Sequence, residues 1–116
     1  MNKIVERLKK EFSKTPDLII KEIKLNMFNT LFIIYLETVS SSNKVNDYIL
    51  KNVIDNKDKI NKNNFQNYLA GPNTKRIDKY DKIEYFLTNG FTIVILKDNI
   101  YGVETRADIN RAVANA

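Results

Sequence analysis

Apolar residues near the start of the chain recur at helical spacing. Ile4, Leu8 and Phe12 follow one another at intervals of four, with Lys and Glu between them, which predicts an amphipathic helix over residues 3–13. Pro16 cannot continue a helical hydrogen-bond ladder, so the helix ends before it. An N-terminal helix is therefore assigned to residues 1–14, and its apolar stripe needs a surface to pack on.

Two strand patterns follow the helix. Residues 18–25 place apolar side chains on one face and charged ones on the other, as in a strand with one solvated face. Leu31–Leu36 is apolar on both faces, which is typical of a central strand covered on both sides. The short gap between them predicts an antiparallel hairpin, and we expect Met27 and Phe28 in its turn to dip into the core.

A second pair of strands lies near the end of the chain. Phe91–Leu96 is again apolar on both faces, and residues 100–105 follow it closely. Asp98-Asn99 between them predicts a tight hairpin.

Helical patterns fill the middle of the chain. Val45, Ile49 and Val53 follow a 3.6-residue period behind N-cap residues at 40–43, which predicts a second helix to about Ile54. The polar residues 55–64 then indicate either a solvated loop or the frayed start of a third, shorter helix with the apolar residues Phe65, Tyr68 and Leu69.

The last helical pattern precedes the second pair of strands. Residues 71–74 form a turn signal, and Asp78 is placed to cap a helix with an apolar stripe. Gly90 ends that helix, because glycine adopts the left-handed conformation without penalty. The stripe consists of Tyr80, Ile83 and Leu87.

This order of elements predicts an α/β or α+β fold. We expect a small mixed four-stranded sheet of two hairpins joined by a helical crossover, with helices packed on it. If the two apolar strands are neighbours, the crossover makes them parallel and right-handed. With 116 residues the chain closes one hydrophobic core, so residues 1–116 are expected to be a single domain, with 107–116 as a tail.

Composition excludes several kinds of site. The chain has no Cys and no His, which removes disulfides, thiolate nucleophiles, the usual metal ligand and the usual general base. We therefore expect no catalytic residues, no metal, no cofactor and no enzymatic activity. The apolar runs are too short to span a bilayer, and no signal peptide precedes them, so the cytosol is the expected compartment.

Charge raises one alternative function. The net charge is +5 and the pI is about 9.4, which would suit a freestanding nucleic-acid-binding domain. The lysines are nevertheless scattered among carboxylates, so a solvated surface is the favoured interpretation.

Three phrases, taken in order, resemble a known family. They are Thr15-Pro16-Asp17-Leu18-Ile19-Ile20-Lys21, Leu31-Phe32-Ile33-Ile34-Tyr35-Leu36-Glu37 and Leu87-Thr88-Asn89-Gly90-Phe91-Thr92-Ile93-Val94-Ile95-Leu96. Together they are similar to the first subdomain of the N-terminal cytoplasmic region of the A subunit in GerA-family spore germinant receptors. The family's basic R-G-P motif, second subdomain and membrane helices do not follow here.

The resemblance implies a module of a receptor in the spore inner membrane, facing the spore interior. Such receptors answer amino acids, sugars or nucleosides and start germination. The implied partners are the other receptor subunits, the chain's own second lobe and membrane domain, and a small nutrient ligand.

The candidate ligand-binding residues are Arg106, Asp108 and Arg111, which follow the last predicted strand. Planar guanidinium groups there are able to clamp a carboxylate or to anchor the next lobe. Other polar groups are given structural interpretations: Asp78, Asp81 and Glu84 as capping and surface charge, residues 71–76 as a polar turn, and Lys44, Lys51, Lys57, Lys59 and Lys62 as a solvated face.

Overall fold

The sheet at the centre of the fold is antiparallel throughout. In a computed structural model of the chain, which describes residues 2–108, it contains five strands in the order β1-β2-β4-β5-β3. The α+β class is therefore confirmed, although the sheet has one more strand than predicted and is not mixed. The strands are β1 Leu18–Lys24, β2 Thr30–Leu36, β3 Thr74–Ile77, β4 Phe91–Leu96 and β5 Asn99–Glu104.

The two apolar strands are neighbours, but the predicted parallel crossover is wrong. β2 and β4 pair in antiparallel register, with Leu31 opposite Leu96 and Ile34 opposite Ile93. The segment between β2 and β4 contains β3 as well as helices, and it runs from one end of the sheet to the other an even number of times. It therefore finishes at the end of the sheet where it began. β4 consequently enters the sheet at the end where β2 leaves it.

The additional strand comes from the segment that was predicted to be a polar turn. Thr74 pairs with Val103 and Ile77 with Ile100, which makes β3 an edge strand beside β5. Only Ile77 of its four residues is buried, so the segment shows no apolar alternation that would indicate a strand. A charged side chain such as Lys75 suits an exposed sheet edge.

The predicted N-terminal helix is present, although it ends at Glu11, before the predicted end. α1, Lys3–Glu11, begins behind Asn2, whose side chain accepts hydrogen bonds from the backbone N–H groups of Ile4 and Val5. Its buried residues Val5 and Leu8 face the sheet.

The second predicted helix has an irregular middle. α2, Ser42–Val45, and α3, Lys51–Asp55, are joined by a π-helical turn at Asn46–Leu50. Ser41 caps the start by accepting from Lys44 N–H, as the N-cap pattern predicts. The Tyr48 carbonyl in the π-helical turn accepts a bond of 2.8 Å from Ala70 N–H, which ties the following loop to the helix.

The remaining helices are short. A 3₁₀ turn at Phe65–Tyr68 corresponds to the predicted third helix, and a second at Tyr80–Lys82 leads into α4, Ile83–Thr88. Asp78 does not cap this segment, because Lys79 occupies the N-cap position and makes no side-chain capping bond. Every helix within residues 2–108 is too short or too polar to span a lipid bilayer.

Both faces of the sheet are covered, as the all-apolar strands predicted. Neighbouring residues of β2 point to opposite faces, with Ile33 in one apolar cluster and Ile34 in the other. The first cluster is closed by Val45, Ile49, Val53 and Phe65, and the second by Val5, Leu8, Ile83 and Leu87.

The turn between β1 and β2 does not dip into the core. Met27 is 81% exposed and Phe28 is 79% exposed, so the prediction for these two residues is wrong. The Asn26 side chain accepts bonds of 2.9 Å and 3.0 Å from the N–H groups of Phe28 and Asn29, and this closes the turn without help from apolar contacts.

Gly90 ends α4 in the predicted left-handed conformation, with φ at +84°. A Cβ at this position would lie 2.9 Å from the Val39 carbonyl oxygen and 3.0 Å from Arg106 Cα. We therefore expect Gly90→Ala to lower the free energy of unfolding by about 1–3 kcal/mol, from backbone strain and the close contacts.

Urea unfolding would measure this change, with Gly102→Ala as the matched control. A Cβ at Gly102 would meet only side-chain atoms, of Ile77 at 3.2 Å, Phe91 at 3.4 Å and Ile93 at 3.8 Å, and its backbone needs no positive φ. Equal losses for the two variants would contradict the assigned role of Gly90.

Candidate functional site

The predicted site residues lie where the chain leaves the sheet after β5. We call residues 105–108 the exit segment. Arg106 forms an isolated antiparallel bridge with Ser40, and Ala107 N–H donates to the Val39 carbonyl over 2.9 Å. Arg111, the third predicted residue, lies outside the described residues. The backbone of the exit segment is thus fastened to the segment that follows β2.

The Arg106 side chain contacts the domain itself. Its Nε donates to the Asn89 carbonyl over 3.1 Å, and one Nη lies 3.7 Å from a carboxylate oxygen of Glu104. The side chain is 53% exposed, so part of the guanidinium faces solvent. A ligand carboxylate would have to compete with Glu104 for this group.

Asp108 also has a partner within the domain. Lys44 of α2 places its ammonium 2.9 Å from the Asp108 carboxylate and donates to the Arg106 carbonyl over 2.8 Å. Because Asp108 is 88% exposed, the ion pair itself contributes little stability. Lys44 nevertheless connects α2 to the exit segment at two points.

Sequence reasoning missed this role of Lys44. The lysine was assigned to a solvated basic face, and its partners are 62 and 64 residues away along the chain. A local sequence pattern cannot indicate a contact between residues so far apart along the chain, because only the fold brings them together.

The exit segment begins in a cluster of buried hydroxyls. Thr105 Oγ1 lies 2.7 Å from Thr92 Oγ1, 3.2 Å from Ser40 Oγ and 3.2 Å from the Gly90 carbonyl oxygen. Thr92, Thr105 and Ser40 are all buried. Buried polar groups of this kind need their partners, so the cluster fixes the relative positions of β4, β5 and the segment after β2.

Asp17, in the first phrase of the family resemblance, has a comparable structural role at the start of β1. The Thr38 hydroxyl donates to its carboxylate over 2.5 Å and lowers the pKa of Asp17. The Asp17 carbonyl also accepts from Glu37 N–H over 2.9 Å. These bonds hold the start of β1 to the end of β2.

Two acidic residues near α4, Asp81 and Glu84, lie beside a surface contact between Tyr80 and α1. Tyr80 donates a hydrogen bond of 3.0 Å to Glu11, and the Arg7 guanidinium lies 3.7 Å from the centre of the Tyr80 ring. Asp81 and Glu84 line the small cavity beside them. Within residues 2–108, no three His, Cys, Asp or Glu side chains are grouped to hold a metal ion.

A larger groove opens at the opposite end of the sheet, between the start of α1 and the turn after β1. Its volume is about 460 Å³, and Phe28 and Phe32 line it together with charged side chains. Lys97 donates to the Phe28 carbonyl over 3.1 Å, and the Asn2 amide donates to the Lys97 carbonyl over 2.8 Å. Sequence reasoning did not find this groove, because it assigned Phe28 to the core.

Comparison with known proteins gives two findings. The family model described as Bacillus/Clostridium GerA spore germination protein matches residues 6–116, and no curated protein matches the sequence. The fold is similar to a crystal structure of the N-terminal domain of the A subunit of the Bacillus megaterium spore germinant receptor GerK3. That match has a TM-score of 0.69 and 19% identity, and it covers 90% of this chain and 45% of the other. This chain therefore spans about half of the matched domain.

The hydroxyl cluster gives a first prediction for this region. Thr105→Val keeps the shape of the side chain but leaves the Thr92 hydroxyl without its partner, so we expect a loss of about 1–3 kcal/mol in unfolding free energy. In the double variant with Thr92→Val the stranded Thr92 hydroxyl is removed as well, and the loss should be smaller than the sum of the single losses. Denaturant unfolding of the four proteins measures this, and strict additivity would contradict it.

Tyr80 gives a prediction for alkaline pH. Burial, followed by the hydrogen bond to Glu11, raises the pKa of Tyr80 from 10.0 to about 12. Because the folded state holds the proton more tightly than the unfolded state, this contribution to stability is complete below pH 10.0 and is lost as the pH rises to about 12.

An NMR titration of the Tyr80 ring would test this assignment. We expect Glu11→Gln to lower the pKa of Tyr80 while leaving it above 10.0, because burial is the larger cause. A pKa that does not respond to the substitution, or that falls to the ordinary value, would contradict it. The Tyr80→Phe variant lacks the Tyr80 ring signal, so comparison with the wild type identifies that signal in the spectrum.

Proposed function

Because the chain belongs to the GerA family of spore germination proteins, we propose that it is a module of a spore germinant receptor A subunit that serves receptor assembly and the relay of nutrient sensing. The solved relative is described as the N-terminal domain of such a subunit. In this proposal the module works with other receptor subunits, a downstream second lobe and a membrane domain, at the spore-interior face of the inner membrane.

The attachment of the exit segment carries the proposal. Thr105 and Arg106 are held by β4, by the segment after β2 and by Lys44 of α2. Ser41 N–H adds a bond of 2.7 Å to the Thr105 carbonyl. A displacement of the chain beyond residue 108 is thereby transmitted to the sheet, which suits a module that passes on a change in position.

The same contacts argue against a ready-made ligand clamp. Arg106 and Asp108, two of the three predicted ligand residues, already have partners in Glu104, Asn89 and Lys44. Binding a nutrient carboxylate would require these contacts to rearrange. We therefore propose that ligand recognition depends on groups beyond this domain, although Arg106, Asp108 and Arg111 remain predicted ligand residues.

Catalysis is not part of the proposed function. The sequence contains no His and no Cys, and the carboxylate bonded to Tyr80, that of Glu11, is a surface group that holds α1 against the 80–88 segment. The Tyr80 hydroxyl beside Glu11 is not activated as a nucleophile, because burial and this hydrogen bond raise the pKa of Tyr80 to about 12.

Spores with a substituted receptor would test the assembly role. We expect Lys44→Ala to lower the maximal germination rate, and the amount of receptor in spore membranes, at an unchanged half-saturating nutrient concentration. Lys57→Ala, which removes an exposed lysine of the loop, is the matched control and should leave both quantities unchanged. A shift in the half-saturating concentration with normal receptor amounts would contradict the proposal.

An amide NMR titration separates the alternatives for the isolated chain. Amino acids, sugars, nucleosides and a short DNA duplex would be added at physiological salt, and we expect no saturable shifts from any of them. Saturable shifts around Arg106 would assign nutrient sensing to this domain. Shifts from DNA that disappear with added salt would support the nucleic-acid alternative.

A further inference from the structure

The turn between β1 and β2 presents two adjacent apolar side chains to solvent. We call residues 25–29 the tip. Met27 is 81% exposed and Phe28 is 79% exposed, more than Ile54 or Tyr85, the other exposed large apolar side chains of the described residues. Exposure of a Phe and a Met side by side is unfavourable in water and points to an interaction.

The backbone of the tip is fixed in this exposed arrangement. Leu25 N–H donates to the Asn29 carbonyl over 2.8 Å, and the Asn26 side chain accepts from both Phe28 and Asn29. Lys97, from the β4–β5 turn, donates to the Phe28 carbonyl. These polar groups of the tip are paired internally, so moving it into a less polar medium would not strand them.

Positive charge surrounds the tip. Four lysines lie at this end of the sheet: Lys24 ends β1, Lys97 bonds the tip, Lys3 begins α1 across the groove, and the Lys62 carbonyl accepts from Asn99 beside the β4–β5 turn. All four are exposed. The groove contributes two carboxylates, Glu22 and Asp98, so this end carries a formal excess of positive charge.

We propose that the tip docks on an anionic membrane surface, with Met27 and Phe28 entering the boundary between headgroups and acyl chains and the lysines contacting the headgroups. Each lysine near such a surface contributes roughly 1 kcal/mol of attraction, and shallow insertion of apolar side chains adds to it. The net charge of +5 acts in the same direction.

A membrane fits these observations better than a protein partner. A stable protein interface buries at least about 1,000 Å², whereas two apolar side chains on a narrow turn supply only part of that. Lysine is also depleted at protein interfaces and favoured at anionic lipid surfaces.

The direction of the strands leaves this end of the sheet free. β5 starts at Asn99, beside the β4–β5 turn, and runs to Glu104 at the opposite end, a distance of about 17 Å at 3.3–3.4 Å per residue. The exit segment therefore lies away from the tip, and docking by the tip does not obstruct the continuation of the chain.

Vesicle flotation of the 116-residue chain tests the proposal. We expect binding to vesicles of phosphatidylglycerol and phosphatidylcholine in equal parts at low ionic strength, and little binding to phosphatidylcholine alone. The double variant Met27→Ser, Phe28→Ser should bind at least about tenfold more weakly, and Lys24→Gln about fivefold more weakly. Both variants should keep the wild-type thermal midpoint, because the altered side chains are exposed.

Tyr85→Ser is the matched control, because it removes an exposed aromatic side chain of α4 rather than one of the tip. It should bind anionic vesicles like the wild type. The proposal is overturned if the wild type does not bind them, or if the tip variant binds as well as the wild type. The germination experiment with Lys44→Ala is independent of this outcome, so a failure of membrane docking leaves the proposed receptor role to be judged separately.

Discussion

The pairing of two strands that are apolar on both faces is the constraint on which the rest of the fold depends. β2 and β4 lie side by side, and each sends alternate side chains into an apolar cluster on either side of the sheet. Because neither face tolerates water, both must be covered. Residues 42–55 with Phe65 cover one face, and α1 with α4 covers the other.

The sequence allows this layered arrangement to be predicted, since periodicity reports which side chains are buried. The apolar runs identify β2 and β4, the spacing of Ile4, Leu8 and Phe12 identifies α1, and Gly90 marks the end of α4. The relative direction of β2 and β4 could not be predicted from periodicity, because it depends on how many times the segment between them runs along the sheet. The edge strand β3 was not predicted either. Ile77 is its only buried side chain, and a single buried residue produces no alternation of apolar and polar positions.

The surroundings of the candidate site were harder to predict than the fold. A sequence shows that Arg106 and Asp108 follow a strand, but their partners Lys44, Asn89 and Ser40 come from other parts of the chain. The buried hydroxyls of Thr92 and Thr105 look like ordinary strand residues until β4 and β5 are paired. Hydrophobicity also misled at Phe28, since an apolar residue in a turn is not always a core residue.

The way the chain leaves β5 has a mechanical consequence. The exit segment continues the direction of β5, and its backbone is bonded on one side to Gly90 and on the other to Val39 and Ser41. A force applied to the chain beyond residue 108, along the strand, would load these bonds together in shear instead of opening them one after another. The end of β5 and the segments bonded to it would therefore resist such a force as a unit.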